Sequence, residues 1–352
     1  MQEFDLLISS PSTSGAAAAR LPEMSAVAGL RPAPALSIVV PCHNEVAVLP
    51  ETARHLAALL DDLQGAGRIA AAPQVWLIDD GSRDATWPLI EQLGQRDARF
   101  RGLKLSRNVG HQRALMAGLA TAPGDVVVSI DADLQDDPWV IGAMVDAFRG
   151  GADIVLGIRS DRSSDSWFKR ASARGYYRAL RGLGVEVVFD HADFRLLSRI
   201  ALDALAQYQE TNLFLRALIP QLGFTVATVP YRRAERFAGT SKYSLRKMLA
   251  LALDGVTSFS IRPLRLITLL GFAVSLVSFG LGFWALGTAL FGSAVVPGWA
   301  STTVPVFMIC GVQMLCLGII GEYVGKIYFE SKHRPRYIVE QITPVTRTGA
   351  SE

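Results

Sequence analysis

Val126-Val-Val-Ser-Ile-Asp-Ala-Asp-Leu-Gln-Asp-Asp-Pro138 is an apolar run that ends abruptly in two acids one residue apart, Asp131 and Asp133. An apolar run without alternation reads as a strand covered on both faces. In open α/β sheets, ligands bind outside the carboxyl ends of such strands. Carboxylates at alternate positions of an extended chain share a face, so both reach one hard cation that also holds phosphate oxygens. The stretch predicts a metal-assisted diphosphate site. The other reading is an acidic, solvated turn after a strand, and the neighbouring sequence has to separate the two.

Working outward, the same grammar repeats. Leu36–Pro41 reads as a short strand, followed by Cys42-His-Asn-Glu45 and a helical segment from Val46 to Leu63. Gln74–Asp79 is a second strand, ending in Asp79-Asp80-Gly81-Ser82 before a helix that begins near Ala85. Phe100–Leu105 is a third, after which Ser106-Arg-Asn-Val-Gly-His-Gln-Arg113 opens a helix through Ala120. Asp125–Ile130, Asp153–Gly157 and Phe224–Tyr231 complete the strands, and Asp136-Asp137-Pro138 reads as the cap of the next helix. Strands alternating with helices predict an α/β fold with a Rossmann-like, mostly parallel sheet and helices on both faces. The clusters after successive strands then share one crevice. Glu45, Asp79 and Asp80 supply acceptors suited to base and ribose donors, Asp131 and Asp133 hold the cation, and Gly81 lets the backbone approach a ligand. The first strand is followed by no Gly-x-Gly-x-x-Gly, and the chain has no Walker lysine loop. Dinucleotide dehydrogenase and P-loop readings are therefore weak.

Of the 352 residues, 50% are hydrophobic and only 19% charged. The excess is local, because Leu266 to Gly321 contains no Asp, Glu, Lys or Arg. A bilayer core needs about 20 apolar residues per helix, so this window predicts two transmembrane helices, near Leu266–Leu290 and Thr303–Tyr323. Phe291–Ser301 is the expected turn between them, with Gly292, Pro297 and Gly298 as turn residues. Arg262 and Arg265 precede the hairpin, and Lys326, Lys332, Arg334 and Arg336 follow it. The positive-inside rule then puts both flanks, and the amino-terminal domain, in the cytoplasm. A net charge of +3 is too small to argue for nucleic acid.

Lys169, Arg170, Arg174 and Arg178 interleave with Trp167, Tyr176 and Tyr177 along an expected helix from Phe168 to Leu183, which suits a membrane interface or a solvated face. Apolar residues at Leu245, Met248, Leu249, Ala252 and Val256 mark a second amphipathic helix ahead of the hairpin. Cys42, Cys310 and Cys316 have no metal or disulfide spacing and read as packing residues of a reducing compartment. The expected organisation is a disordered tail over 1–34, a cytoplasmic catalytic domain over 35–243, an interfacial helix region over 244–264, two transmembrane helices over 265–327, and a cytoplasmic tail over 328–352.

Five blocks in order carry a resemblance: Ile38-Val-Val-Pro-Cys-His-Asn-Glu45, Leu77-Ile-Asp-Asp-Gly-Ser82, Asn108-Val-Gly-His111, Asp131–Pro138 and Arg236-Phe-Ala-Gly-Thr-Ser-Lys-Tyr243. The chain resembles the family 2 glycosyltransferases of the GT-A fold over most of residues 36–265. Gly239-Thr-Ser-Lys-Tyr243 followed by two apolar spans, Gly321-Glu-Tyr-Val-Gly-Lys-Ile-Tyr328 and Arg334-Pro-Arg-Tyr337 narrow this to polyprenyl-phosphate glycosyltransferases, bactoprenol glucosyltransferases in particular. Dolichol-phosphate mannose synthases are similar.

The resemblance implies that Pro41, Glu45 and Asp79 hold the nucleoside, with Asp80 and Ser82 nearby. It implies that Asp131 and Asp133 bind Mg2+ or Mn2+ on the donor diphosphate, with Gln135 completing the set. Arg159, Arg236 and Lys242 would grip phosphates. Asp193 would lie near the sugar, or else form an ion pair with Arg195 or Arg199. The implied enzyme is an inverting, metal-dependent hexosyltransferase of the inner (cytoplasmic) membrane, multi-pass with its catalytic domain cytoplasmic. Its implied substrates are a nucleotide sugar, UDP-glucose first, and a polyprenyl phosphate such as undecaprenyl phosphate. A GDP-mannose-dependent mannose synthase and a non-catalytic membrane scaffold are the alternatives, and self-association into a homo-oligomer stays open.

Overall fold

The computed structural model describes residues 30–159, 191–208, 210, 215–231, 264, 266–274, 276, 277, 280 and 299–344. Four apolar runs become the strands β1 (Leu36–Cys42), β2 (Gln74–Asp79), β3 (Phe100–Leu105) and β4 (Val126–Ser129). Between and after them run α1 (Leu49–Gly65), α2 (Thr86–Arg96), α3 (His111–Thr121) and α4 (Val140–Arg149). All of β1 and β4 is buried, as strands covered on both faces require. Alternation along β1 sends Ile38 and Val40 into one core with α1, α2 and α4, while Val39 points into a second core on the opposite face with α3.

The remaining elements are β5 (Ile154–Arg159), β6 (His191–Ser198), α5 (Arg199–Ala206), α6 (Leu215–Gln221), β7 (Val226–Tyr231), α7 (Trp299–Ser331) and β8 (Val339–Ile342). The sheet order is β7-β5-β6-β4-β1-β2-β3-β8. β1 pairs in parallel with β2 and β4, β2 with β3, and β5 with β7. β6 is antiparallel to both β4 and β5, and β8 is antiparallel to β3. The expectation of a mostly parallel sheet is therefore corrected to a mixed one. His191-Ala-Asp-Phe-Arg-Leu-Leu-Ser198 concealed its strand because two charges interrupt it, and the structure buries both Asp193 and Arg195.

β8 lies inside what the sequence suggested was a terminal tail. Lys104 Nζ reaches Glu340 at 2.8 Å, Ser106 N donates to Ile338 O at 3.0 Å, and Gly102 N donates to Thr343 Oγ1 at 2.8 Å. At the other end, Arg31 donates to Ala152 O and Asp153 Oδ1 at 3.2 and 3.0 Å and lies 4.7 Å from the Phe148 ring centroid. The chain is therefore already held to the domain at Arg31, ahead of residue 35.

α7 is 33 residues long, about 50 Å at 1.5 Å per residue. Trp299–Ser301, read as part of a turn, already belong to it. Among the described residues one helical stretch, Val312–Ser331, is long and apolar enough to cross a membrane, and none of it is buried. Residues 266–274 are helical, with Leu266, Leu269 and Phe272 exposed. Most of the rest of the first expected span, the helices expected over 168–183 and 245–259, and most of the 1–34 tail lie outside the described residues, as do Arg236 and Lys242.

A Cβ on Gly102 would lie 2.5 Å from Ile90 Cγ2 and 3.0 Å from Thr343 Cγ2. Gly102→Val is expected to lower stability by about 1–3 kcal/mol and to free the β8 segment. Thermal melting and limited proteolysis of residues after 331 measure both, and an unchanged melt with a protected tail would contradict the packing.

Candidate active site

The loops after β1, β2, β3 and β4 meet at one edge of the sheet because these strands run the same way. Asn44 takes a left-handed backbone (φ 57°). From there its N donates to Ser82 Oγ at 3.0 Å and its Oδ1 accepts from Arg83 N at 2.9 Å. The loop after β1 is thus sewn to the loop after β2. Asp80 does the same one strand further along: its carboxylate accepts from Val109 N at 2.7 Å and Gly110 N at 3.0 Å. Its oxygens hold the entry to α3. Gly81 packs against the same loop. A Cβ there would stand 2.4 Å from Asn108 N, so its close approach is to the protein's own backbone.

Asp79 is the acid these loops leave exposed to chemistry but not to water. Its Oδ1 accepts from Ser82 N at 3.2 Å, and its Oδ2 is buried without a hydrogen-bond partner among the described residues. Burial pushes its pKa up, against the pull of Ser82, Lys104 and His43. An orphaned buried acceptor loses about 1–3 kcal/mol until a donor arrives. Pro41 is buried in β1 opposite Ile78. Glu45 begins the lead into α1, with its N donating to Thr86 Oγ1 at 3.0 Å.

The acid pair follows β4 on a turn pinned by Thr52 Oγ1, which donates to Ala132 O at 2.8 Å. Leu134 is left-handed (φ 55°), and Gln135 N donates back to Asp133 Oδ1 at 3.2 Å. Gln135 itself is buried. Asp131 has a raised pKa, from burial first and then from the neighbouring Asp193, Asp136 and Asp133, with His111 pulling the other way. His111 Nε2 lies 3.5 Å from Asp131 Oδ1 and 3.4 Å from Asp193 Oδ2. Burial lowers the imidazole's pKa, but these two carboxylates more than offset it and raise it overall.

Asp193 is buried and crowded with donors. Arg195 pairs with it directly, Arg216 Nη2 reaches it at 3.2 Å, and Gln112 Nε2 donates to it at 3.3 Å. Burial alone would raise its pKa, yet His111, Arg195 and Arg216 hold it well below the usual carboxylate range. Of the two readings of this residue, the ion pair with Arg195 is present. Arg199 is used elsewhere, on Gly124 O and Ala122 O at 2.9 and 2.7 Å. Arg159, expected to grip phosphate, stands 3.8 Å from Asp136 Oδ1. Asp136, expected to cap α4, instead accepts from Tyr231 Oη at 2.6 Å, and Asp137 Oδ1 takes the Trp139 N at 3.0 Å.

Sequence reading assigned no role to His111 or Arg216. His111 stood in a quoted block and was the recoverable one. Arg216 comes from α6, whose approach to Asp193 no local pattern announces.

Residues 37–206 match the family model Glycosyl transferase family 2. The glycosyltransferase YkoT of Bacillus subtilis strain 168 is 45% identical over 322 residues, which is 89% of this chain and 95% of that protein. The bactoprenol glucosyl transferase of Shigella phage SfV is 39% identical over 310 residues, 87% of this chain and 98% of that protein. A solved mannosyltransferase from Pyrobaculum calidifontis, in complex with GDP-Man and Mn2+, is 16% identical, with 85% of this chain and 87% of that chain covered at a TM-score of 0.45. That score is too low for anything about the site to be carried across. The first two relatives and the sheet with its strand-end acids define a sugar-transferring enzyme. The chain belongs to glycosyl transferase family 2.

Asp193→Asn leaves Arg195 buried without its countercharge, which costs about 3–5 kcal/mol. Because the folded-state pKa is depressed, the wild-type advantage is complete above about pH 4 and fades as pH falls through the folded value. Thermal unfolding of both proteins across acid pH measures this, and a pH-independent difference would contradict it.

Proposed function

We propose that the chain transfers a hexose, glucose from UDP-glucose, with inversion onto a polyprenyl phosphate such as undecaprenyl phosphate at the cytoplasmic face of the membrane. The observation that carries it is the placement of two needs at one edge of the sheet: a buried acceptor on Asp79 without a partner among the described residues, and a cluster of carboxylates, Asp133, Asp136 and Asp193, around Asp131. A nucleoside supplies donors to the first. A cation bridging a diphosphate neutralises the second. Full-length relatives named for bactoprenol glucosyl transfer favour this acceptor and sugar over others.

The donor set fits a divalent ion that is completed by substrate. Among the described residues no group of three or more His, Cys, Asp or Glu is arranged to hold a metal. Mg2+ is commonly held by one or two carboxylates plus substrate phosphates, and Asp131 and Asp133, with Gln135 beside them, are such a partial set. When bound, Mg2+ or Mn2+ supplies charge neutralisation on the departing nucleotide. The protein's own part is to hold Asp131 and Asp133 on a pinned turn. His111, between Asp131 and Asp193, offsets the repulsion between the two acids.

A phosphate monoester has a second pKa of about 6, so the acceptor is mostly dianionic at neutral pH and a strong base is unnecessary. That matches an Asp193 whose oxygens are already taken by donors. Arg236 and Lys242 remain the proposed partners of the acceptor phosphate, whose paired oxygens suit arginine's planar fork. A polyprenyl tail leaves the bilayer only at about 0.8 kcal/mol per CH2, so the enzyme must go to the lipid. The exposed apolar face of α7 and of residues 266–274 supplies that attachment, with two spans and the basic flanks on the cytoplasmic side.

Membranes containing the protein, incubated with a short polyprenyl phosphate, Mn2+ or Mg2+ and a panel of UDP and GDP sugars, should yield lipid phosphate heavier by one hexose, from UDP-glucose. Chelation should stop the reaction, and Asp133→Ala should slow it by more than about a hundredfold. No lipid-linked product with any sugar nucleotide would overturn the function, and a wild-type rate for Asp133→Ala under limiting metal would overturn the metal site.

A further inference from the structure

Asp136, Tyr231 and Arg159 form a cluster that neither capping nor phosphate binding explains. Asp136 and Tyr231 are almost fully buried. The hydroxyl of Tyr231 donates to Asp136 Oδ1 at 2.6 Å, the length of a charge-assisted bond. Arg159 Nε donates to that hydroxyl at 3.4 Å, and its Nη2 stands 3.8 Å from Asp136 Oδ1. A buried carboxylate has to be paired, and here the pairing reaches across the fold. Asp136 sits on the turn after β4, three residues beyond Asp133. Arg159 and Tyr231 are the last residues of β5 and β7, opposite each other in the parallel register.

The geometry behind the hydroxyl is rigid. The Tyr231 ring meets Phe194 edge-on, with centroids 5.4 Å apart and planes at 85°. Gly157 leaves room for both rings, since a Cβ there would stand 3.0 Å from Tyr231 Cε1 and 3.1 Å from Phe194 Cδ1. In front of it the backbone is under strain, because Leu134 holds a left-handed conformation at φ 55°, which a bulky residue adopts rarely and keeps only when its surroundings impose it. Thr52 pins one side of this turn at Ala132 O, and Tyr231 pins the other side at Asp136.

We propose that Asp136, Tyr231 and Arg159 are a positioning latch that holds the turn bearing Asp131 and Asp133 against the ends of β5 and β7, and so sets the metal-binding geometry of that acid pair. The latch rests on the metal-assisted reading given above. It touches neither substrate nor metal. Its contribution is to keep the two carboxylates where one cation and a diphosphate can be held together, as outer partners do for metal ligands generally.

Tyr231→Phe removes the hydroxyl and keeps the ring. In the full-length protein in detergent, calorimetric titration of Mn2+ with UDP present should show binding weakened about tenfold, and the Mn2+ concentration for half-maximal transfer should rise by a similar factor. The melting temperature should stay within a few degrees of wild type. Asp136→Asn should shift Mn2+ binding in the same direction. Leu205→Ala, which disturbs packing in the opposite core and touches none of these groups, should lower the melting temperature and leave Mn2+ binding unchanged. Wild-type Mn2+ affinity in Tyr231→Phe would overturn the latch, as would a metal shift in Leu205→Ala equal to that in Tyr231→Phe. A wild-type protein that binds no Mn2+ with UDP would instead overturn the metal-assisted reading, and the latch with it.

Discussion

Arg195 is a guanidinium with no exposed surface, placed on a strand in the middle of the sheet. Removing such a charge from water costs several kcal/mol, recovered only if a partner is held in good geometry. Asp193 is that partner, two residues along the same strand and on the same face. Once the pair is fixed, the neighbouring elements follow. Ser129 Oγ donates to Asp193 O at 2.6 Å, tying β4 to β6. His111 and Gln112, at the start of α3, and Arg216, from α6, converge on the same carboxylate. The entry to α3 is then fastened to Asp80 at the end of β2. A charge that looks like a defect in a strand organises the floor of the crevice.

The acid pair above that floor sits among further carboxylates, Asp136 and Asp193, with His111 beside Asp131. On the metal-assisted reading proposed above, the oxygens of a donor diphosphate complete this partial set, and metal and donor then improve each other's binding by the same factor. On the same reading Asp193 is left to structure, because a dianionic acceptor brings its own nucleophile.

The legible part of the fold was the part governed by local rules. β1 to β4 are continuous apolar runs punctuated by Asp, Gly or Pro, and their strand-end acids could be read directly. β6 was illegible because burial of Asp193 with Arg195 inverts the expectation that charge marks a loop. β8 is four residues, none of them buried, and nothing local distinguishes Val-Glu-Gln-Ile from a tail. Its partner β3 lies more than two hundred residues away. The contacts of Asp80 and Asp136 were not legible, because a carboxylate that accepts from a distant backbone or a distant tyrosine carries no nearby mark. The apolar window was plain from the absence of charge, whereas the start of its second helix inside the expected turn was not, because Trp299-Ala-Ser301 carries no helix-start signal stronger than the Pro-Gly before it.

β8 also changes how the chain must be made. The sheet is not finished by the residues that contain its strand-end acids, because its outer strand is encoded beyond the long apolar helix. About a hundred residues separate Tyr231 from Val339, which at roughly 5–20 residues per second is on the order of 5–20 s of translation. Throughout that interval β3 is an open edge carrying unpaired backbone groups, the kind of surface that invites wrong pairing. Closure waits until the apolar segment has been synthesised and handed to its own surroundings. Completion of the catalytic sheet is thus timed by the chain itself to follow the emergence of α7, so a polypeptide stalled before that point cannot present a finished edge.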